Sequence, residues 1–370
     1  MSTKLGIIGG GQLARMLGMA ALPLGIDCQS YDPDSKACAG KIAPIFQGSF
    51  DDSDALQEFA AQVDLLTYEF ENVHLQTLAA LDKSSPIYPQ LASLEISQHR
   101  LREKKLFNHL EIRTNAFESV KNTTDLALAI SNINLPLVIK SVSGGYDGKH
   151  QWVLKTQHDV DAWILHRQQE NWRGQNPGWI AEGWINFQRE VSMIGVRNVR
   201  GEMKFYDLCE NVHRQGILSH TINKINDPLQ ADAEHYVAKL MQHLQHVGIL
   251  TVEFFVCDGR LIANEMAPRV HNTGHWTIEA AHTSQFENHL RAIMNFPLGE
   301  TASTTQSVII NCIGGHPDIK NILNYPNLHW HDYTKPARPG RKVAHMTYCD
   351  KNEISEVKIR ELLKLQIFNV

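Results

Sequence analysis

Apolar positions arrive in short bursts, separated by glycine turns and by stretches with helical spacing. Residues 4–8 (KLGII) form the first burst, followed by Gly9-Gly10-Gly11 and a helical stretch from Gln12 to Leu22. A second run, Ile26 to Tyr31, ends in Asp32-Pro33-Asp34, and a third, Asp64 to Glu69, follows a helical segment near 52–61. Strand and helix alternate, which predicts an α/β protein with a parallel sheet under covering helices. Residues 90–110 read as a charged amphipathic helix and a domain joint. From 114 to 185 the pattern predicts short strands (LVIK at 137–140, QWVLK at 151–155, WIAEGW at 179–184) with one or two helices. Residues 189–213 are strand-like. Ala233, Tyr236, Val237, Leu240, Met241, Leu244 and Val247 recur at helical spacing, predicting an amphipathic helix over 229–247. TVEFFV, a Cys257-Asp258-Gly259 turn and LIANE then predict a hairpin. Pro297 to Gln306 is rich in Thr and Ser and reads as a linker. The last 65 residues read as a small α+β cap.

Composition narrows the class. The chain has 370 residues, 43% apolar, 8% aromatic and 20% charged. These are globular values that argue against a disordered tail protein, and at about 150 residues per domain they suggest two or three domains. Net charge is −5 (35 basic, 40 acidic side chains), so no basic surplus points to nucleic acid as the main partner. No apolar run approaches the ~18 residues of a membrane helix. The first residues run directly into a glycine turn, without a cleavable apolar segment. The six cysteines (28, 38, 209, 257, 312, 349) include no C-x-x-C pair, which fits reduced thiols in a cytoplasmic protein.

Five features carry candidate chemistry. Gly9-x-Gly11-x-x-Ala14 lies between strand and helix, with Asp32 downstream, and so matches a dinucleotide fingerprint. Three readings stand: a nicotinamide cofactor, a strand–turn–helix that simply kept its glycines, or a turn that meets a substrate phosphate or ribose. Next, Lys140 ends an apolar strand and precedes Ser141-Val142-Ser143-Gly144-Gly145-Tyr146-Asp147-Gly148-Lys149. Glycine amides there can wrap a polyphosphate, and the lysine can reach its oxygens, although no P-loop spacing is present. Third, Glu253 and Asn264-Glu265 sit on the two hairpin strands, and oxygen-only donors suit Mg²⁺. A two-residue turn sets Glu253 opposite Asn264. A three-residue turn, Cys257 to Gly259, puts Glu253 and Glu265 on one face, and this form is expected. Fourth, Arg269-Val270-His271-Asn272-Thr273-Gly274-His275-Trp276 offers a cation and imidazoles to an anionic substrate; Pro268 and Gly274 argue against a zinc-binding helix. Fifth, Lys335 to Lys342 holds four cations in a loop that suits a phosphomonoester or is merely solvated.

In combination these segments resemble the ATP-grasp superfamily, and within it the N5-carboxyaminoimidazole ribonucleotide synthetase family. GIIGGGQLARML, YEFENV, IKSVSGGYDGKHQW, AEGWINFQREVS, NVHRQGIL, NEMAPRVHNTGHWT and RPGRKVAHMT match family segments in order over essentially the whole chain. Ala14 and Ala344 stand where the family often has glycine, and Lys149 where it often has arginine. The resemblance implies an ATP-grasp fold: an N-terminal Rossmann-like domain (1–100), an ATP-grasp domain (101–298) with a mobile lid near 114–185, and a C-terminal α+β domain (299–370). It implies ATP- and bicarbonate-dependent carboxylation of 5-aminoimidazole ribonucleotide through carboxyphosphate, with Mg²⁺, in a cytoplasmic homodimer. ATP would meet Arg100, Lys140, Gly145, Tyr146, Asp147, Gly148, Lys149, His150, Gln151, Glu182, Gly183, Trp184, Ile185, Glu190, His213, Asn264 and Glu265. Glu253 and Glu265 would hold the metal. The ribonucleotide would meet Gln12, Leu13, Glu69, Tyr146, Asp147, Lys149, Arg269, His271, Lys335 and Arg341, the last two at its 5′-phosphate. Arg269, Lys140, Tyr146 and His271 are the implied catalytic residues. Another ATP-grasp ligase, or an NAD-dependent oxidoreductase, is the alternative.

Overall fold

The first apolar bursts form one sheet of four parallel strands: β1 (Lys4–Ile8), β2 (Asp27–Asp32), β3 (Ile45–Gln47) and β4 (Leu65–Tyr68), in the order β3-β2-β1-β4. The structure is a computed structural model that describes residues 3–81, 85–144, 151–169 and 178–370. Helix Gln12–Ala21 buries Leu13, Met16 and Leu17, a stripe at helical spacing, in one core with Phe286, Leu290 and Ile293 of helix Gln285–Ile293. The N-terminal sheet is thereby fixed to the middle of the chain.

A second, antiparallel sheet holds β5 (Phe117–Val120), β6 (Leu137–Ser141), β7 (Gln151–Leu154) and β8 (Trp179–Gly183), ordered β5-β8-β6-β7. Helices Thr123–Ile133 and Gln157–Gln169 accompany it, and Val120, Leu137, Ile139, Leu154, Trp163 and Trp179 form its own small core.

The third sheet has nine strands: β9 (Arg189–Arg197), β10 (Met203–Phe205), β11 (Cys209–Arg214), β12 (Ile217–Asn223), β13 (Gly248–Cys257), β14 (Arg260–Ala267), β15 (Gln306–Ile313), β16 (Leu328–Asp332) and β17 (Lys342–Asp350). Eight run in the order β14-β13-β9-β11-β12-β15-β17-β16, and β10 pairs with β9. Helix Gln230–His243 packs Ala233, Val237, Leu240 and Met241 beneath β9 and β13. β15 pairs with β12, so the C-terminal strands continue the central sheet.

Local differences from the sequence reading have physical causes. The helix expected over 90–110 is two helices, Leu91–Ser97 and Arg100–His109, broken at Gln98-His99. The Gln98 amide turns away to donate to the carbonyls of Glu71 and Val73. The linker has no regular element but is docked: Gly299 N donates to Asn288 Oδ1 at 2.8 Å and Thr301 Oγ1 to Phe205 O at 2.6 Å.

Candidate active site

The β13–β14 hairpin sets the site. Cys257 pairs with Arg260, so its turn is the two-residue Asp258-Gly259 and not the expected three-residue form. Both residues have positive φ (49° and 69°), as a tight hairpin turn of this kind requires. That register alone would turn Glu265 away from Glu253. A β-bulge reverses the outcome: Phe254 pairs with Ala263, but Glu253 pairs with Glu265, leaving Asn264 as the extra residue. Asn264 and Glu265 therefore both line the same cleft as Glu253.

Glu253 is half-buried and Glu265 exposed at the mouth of the cleft, and carboxylates that face each other repel. Burial, and then Glu265, push the Glu253 carboxyl up to about 7. His271 Nε2 lies 3.5 Å from Glu253 Oε1, but burial and Arg269 hold that imidazole well below its usual pKa, so it is neutral and does not offset the charge. Two carboxylates and an amide, all oxygen donors, suit a hard divalent cation such as Mg²⁺ that completes its shell with phosphates. Among the described residues no group of three or more His, Cys, Asp or Glu is arranged to hold a metal, and His275 instead packs at a tilt against His345 with ring centroids 4.8 Å apart.

The cleft, of roughly 430 Å³, runs from this hairpin to β6 and β8. At that far end Lys140 Nζ meets Glu182 Oε2 at 3.2 Å and Asn115 donates to it at 3.0 Å. Burial opposes ionisation of Glu182, but Lys104 and Lys140 outweigh it and hold the carboxyl at about 2. Glu190 and His213 pair at 2.9 Å on neighbouring strands. Arg269 meets Glu71 at 3.1 Å. Of the residues singled out from the sequence, Arg100, Lys140, Gln151, Glu182, Gly183, Trp184, Ile185, Glu190, His213, Glu253, Asn264, Glu265, Arg269 and His271 all line this cleft. Gly145, Tyr146, Asp147, Gly148, Lys149 and His150 lie outside the described residues.

Gln12, Leu13, Glu69, Lys335 and Arg341 do not line it; the first four gather at the N-terminal helix, and Arg341 Nη1 donates to Pro336 O at 3.4 Å in the loop of Lys335. Lys335 Nζ donates to Gln12 Oε1. The Leu13 side chain belongs to the core. Here the glycine turn reveals its own anion. Glu69 accepts from Gly11 N and from Ala14 N (2.9 Å), and Asp32 accepts from Gly10 N at 2.8 Å. The helix N-terminus is thus occupied by carboxylates of the chain itself. This removes the nicotinamide reading, which needs those amides for a pyrophosphate.

Sequence reasoning missed several lining residues. Phe187 and Phe255 stack at 4.8 Å and, with Val138 and Val153, give the cleft an apolar wall. Their signal was present only as an aromatic in a strand, indistinguishable from core. Glu71, Asn72, Gln98 and Glu103 also line the cleft, as does Lys342, one of the four cations already noted in the 335–342 loop.

A carboxylate hairpin and a small antiparallel sheet enclosing one cleft define the ATP-grasp class of ligases. The family comparisons agree: the ATP-grasp domain matches residues 105–286, the ribonucleotide synthetase preATP-grasp domain 1–98, and the phosphoribosylaminoimidazole carboxylase C-terminal domain 307–358. The chain is 43% identical to the N5-carboxyaminoimidazole ribonucleotide synthase of Pseudomonas aeruginosa, over 97% of this chain and 98% of that one. It is 34% identical to the enzyme of that name from Bacillus subtilis, over 94% and 92%. The crystal structure of the synthetase from Thermus thermophilus superposes with a TM-score of 0.91 at 41% identity, covering 98% of each chain. An Aspergillus clavatus synthase, solved in complex with ADP and 5-aminoimidazole ribonucleotide, superposes with a TM-score of 0.88 at 27% identity, also over 98% of each. The chain belongs to the N5-carboxyaminoimidazole ribonucleotide synthase family, ATP-dependent ligases that carboxylate 5-aminoimidazole ribonucleotide in purine biosynthesis.

Proposed function

We propose that this chain carries out that reaction with the following division of labour. ATP occupies the cleft, its base against the apolar wall near Trp184 and Ile185, its ribose at Glu190, and its phosphates between Arg100, Lys140 and the carboxylate hairpin. Glu253 and Glu265, with Asn264 beside them, would hold Mg²⁺, which when bound neutralises phosphate charge. The observation that carries the reading is the Glu253–Glu265 pair, opposed across the hairpin and lining the same cleft as the Lys140–Glu182 pair.

Bicarbonate attacks the γ-phosphorus, the bond to ADP breaks, and carboxyphosphate forms. Arg269, buried beside Glu71, offers this dianion a fixed guanidinium. The exocyclic amine of the ribonucleotide then bonds to the carboxyl carbon as phosphate leaves. His271, beside Glu253 in the cleft, would orient the amine, whose proton leaves with the phosphate. Gln12, Leu13 and Glu69 frame the ribonucleotide, and Lys335 and Arg341 take its 5′-phosphate. The segment Gly145 to His150, including Tyr146, Asp147 and Lys149, belongs to the proposal as the cover that keeps water from carboxyphosphate. The division at 1–100, 101–298 and 299–370, a cytoplasmic homodimer and a lid near 114–185 are parts of it too. Among the described residues, no helix is long and apolar enough to cross a membrane.

Phosphate release from ATP, measured with and without 5-aminoimidazole ribonucleotide and bicarbonate, tests the reading. Release is expected to require both. Release that ignores the ribonucleotide would assign the cleft to a different ATP-grasp ligase.

A further inference from the structure

The bulge that brings Asn264 and Glu265 into the cleft lies on β14, an edge strand of the central sheet. An edge strand keeps outward backbone groups unpaired, and a bulge there is free to shift unless something grips it. Here it is gripped on both sides by two consecutive residues of helix Arg100–His109. Lys104 Nζ donates to Ala263 O at 3.0 Å, just before the bulge. Glu103 Oε1 accepts from Met266 N at 2.6 Å, just after it. Arg113 O and Thr114 Oγ1 complete the hold on Ala263, at 2.7 and 3.0 Å.

We propose that Glu103 and Lys104 are positioning residues: a two-point clamp that fixes the β14 bulge and so aims Asn264 and Glu265 at the nucleotide phosphates. Both side chains are almost wholly buried (2% and 1% exposed), a costly placement for ionisable groups that packing alone would not call for. Lys104 spends its remaining protons on Thr114 Oγ1 (2.9 Å) and Asn115 Oδ1 (3.0 Å), and lies 3.5 Å from Glu182 Oε2. The clamp therefore ties the hairpin end of the cleft to the β8 end, and one helix sets the distance between them. Glu103 acts through the Met266 amide it accepts from, not through its charge, and this separates it from Glu253 and Glu265.

The inference rests on the assignment of Glu253 and Glu265 to the magnesium nucleotide, so the test includes a control for that assignment. ADP is titrated against wild-type and variant proteins by tryptophan fluorescence, in Mg²⁺ and in EDTA. If Mg²⁺ does not tighten ADP binding to the wild type, the metal assignment fails, and the clamp with it. If it does, Glu103→Leu should lose about tenfold or more of that Mg²⁺ enhancement, with affinity in EDTA changed about twofold or less. Glu103→Gln keeps an acceptor for Met266 N and should retain the enhancement to within about threefold, with kcat following the same pattern. A Glu103→Gln variant as impaired as Glu103→Leu would overturn the proposal, because the charge itself would then be acting. So would a Glu103→Leu variant with undiminished enhancement. If Glu103→Leu does not fold, Thr114→Val, which removes one hydroxyl from the hold on Ala263, carries the test. It should lower the enhancement about threefold without changing affinity in EDTA, and no change would equally overturn the proposal.

Discussion

Two regions of this molecule bury glutamates, and they treat them in opposite ways. Glu69 sits over the N-terminal helix with both oxygens accepting backbone amides, from Gly11 and Ala14. Burial raises its pKa, while those amides and Lys335 pull it back. Glu253 sits across a bulged hairpin from Glu265, and its second largest influence is that like charge. The first carboxylate is an internal anion already satisfied by the fold. The second faces a like charge, which a bound cation would neutralise. Burial alone does not distinguish them; the partners do.

The comparison breaks most sharply at Glu265. Glu265→Gln should lower kcat by about 10³-fold or more, since it removes a carboxylate that would hold the cation neutralising the phosphates in the transition state. The same substitution should leave ligand-free thermal stability unchanged or raised, because it relieves repulsion on Glu253. A melting temperature that falls sharply would show the pair to be structural. Glu69→Ala should do the reverse. It strands two amides, a loss of about 2–4 kcal/mol in a denaturant titration. Stability equal to wild type would mean that water replaces the carboxylate. Arg341→Ala should raise KM for the ribonucleotide about tenfold and leave KM for ATP nearly unchanged. Equal effects would remove Arg341 from the ribonucleotide side.

The smallest effect is in pH. The Glu253 carboxyl is raised in the folded state, to about 7 from an ordinary 4.5. Its contribution to ligand-free stability is full below the unfolded pKa and is lost as pH rises through about 7. Magnesium ADP should flatten that slope, which denaturant titrations at several pH values with and without the nucleotide will read. A slope indifferent to the nucleotide would separate Glu253 from the phosphates.

Much of this was readable in the chain. Strand bursts separated by glycine turns gave the parallel sheet because each element carries its own period, and the hairpin was legible from Asp258-Gly259 between two apolar runs. What lay outside local pattern was lost. The bulge depends on a grip from Arg113, Thr114 and Lys104, residues about 150 positions away. Lys104 stands in RLREKKLF, which reads as a solvated helix face until a neighbouring strand covers it. The Gly9–Ala14 turn advertised an anion correctly, but the anion proved to be Glu69, 58 residues beyond Gly11. Gln98 ended a helix by donating to the 71–73 loop, a contact no periodicity announces.

The continuation of the central sheet into β17 has a further consequence. Lys342 opens that strand and lines the cleft, while Arg341, one residue earlier, lies with the loop of Lys335 and does not. Adjacent residues entering a strand diverge, so in the proposed division of labour a single peptide unit would separate the cation facing ATP from the one facing the ribonucleotide. A register slip of one position there would exchange the two cations, so on that proposal the seam between β15 and β17 would safeguard substrate order as well as give support.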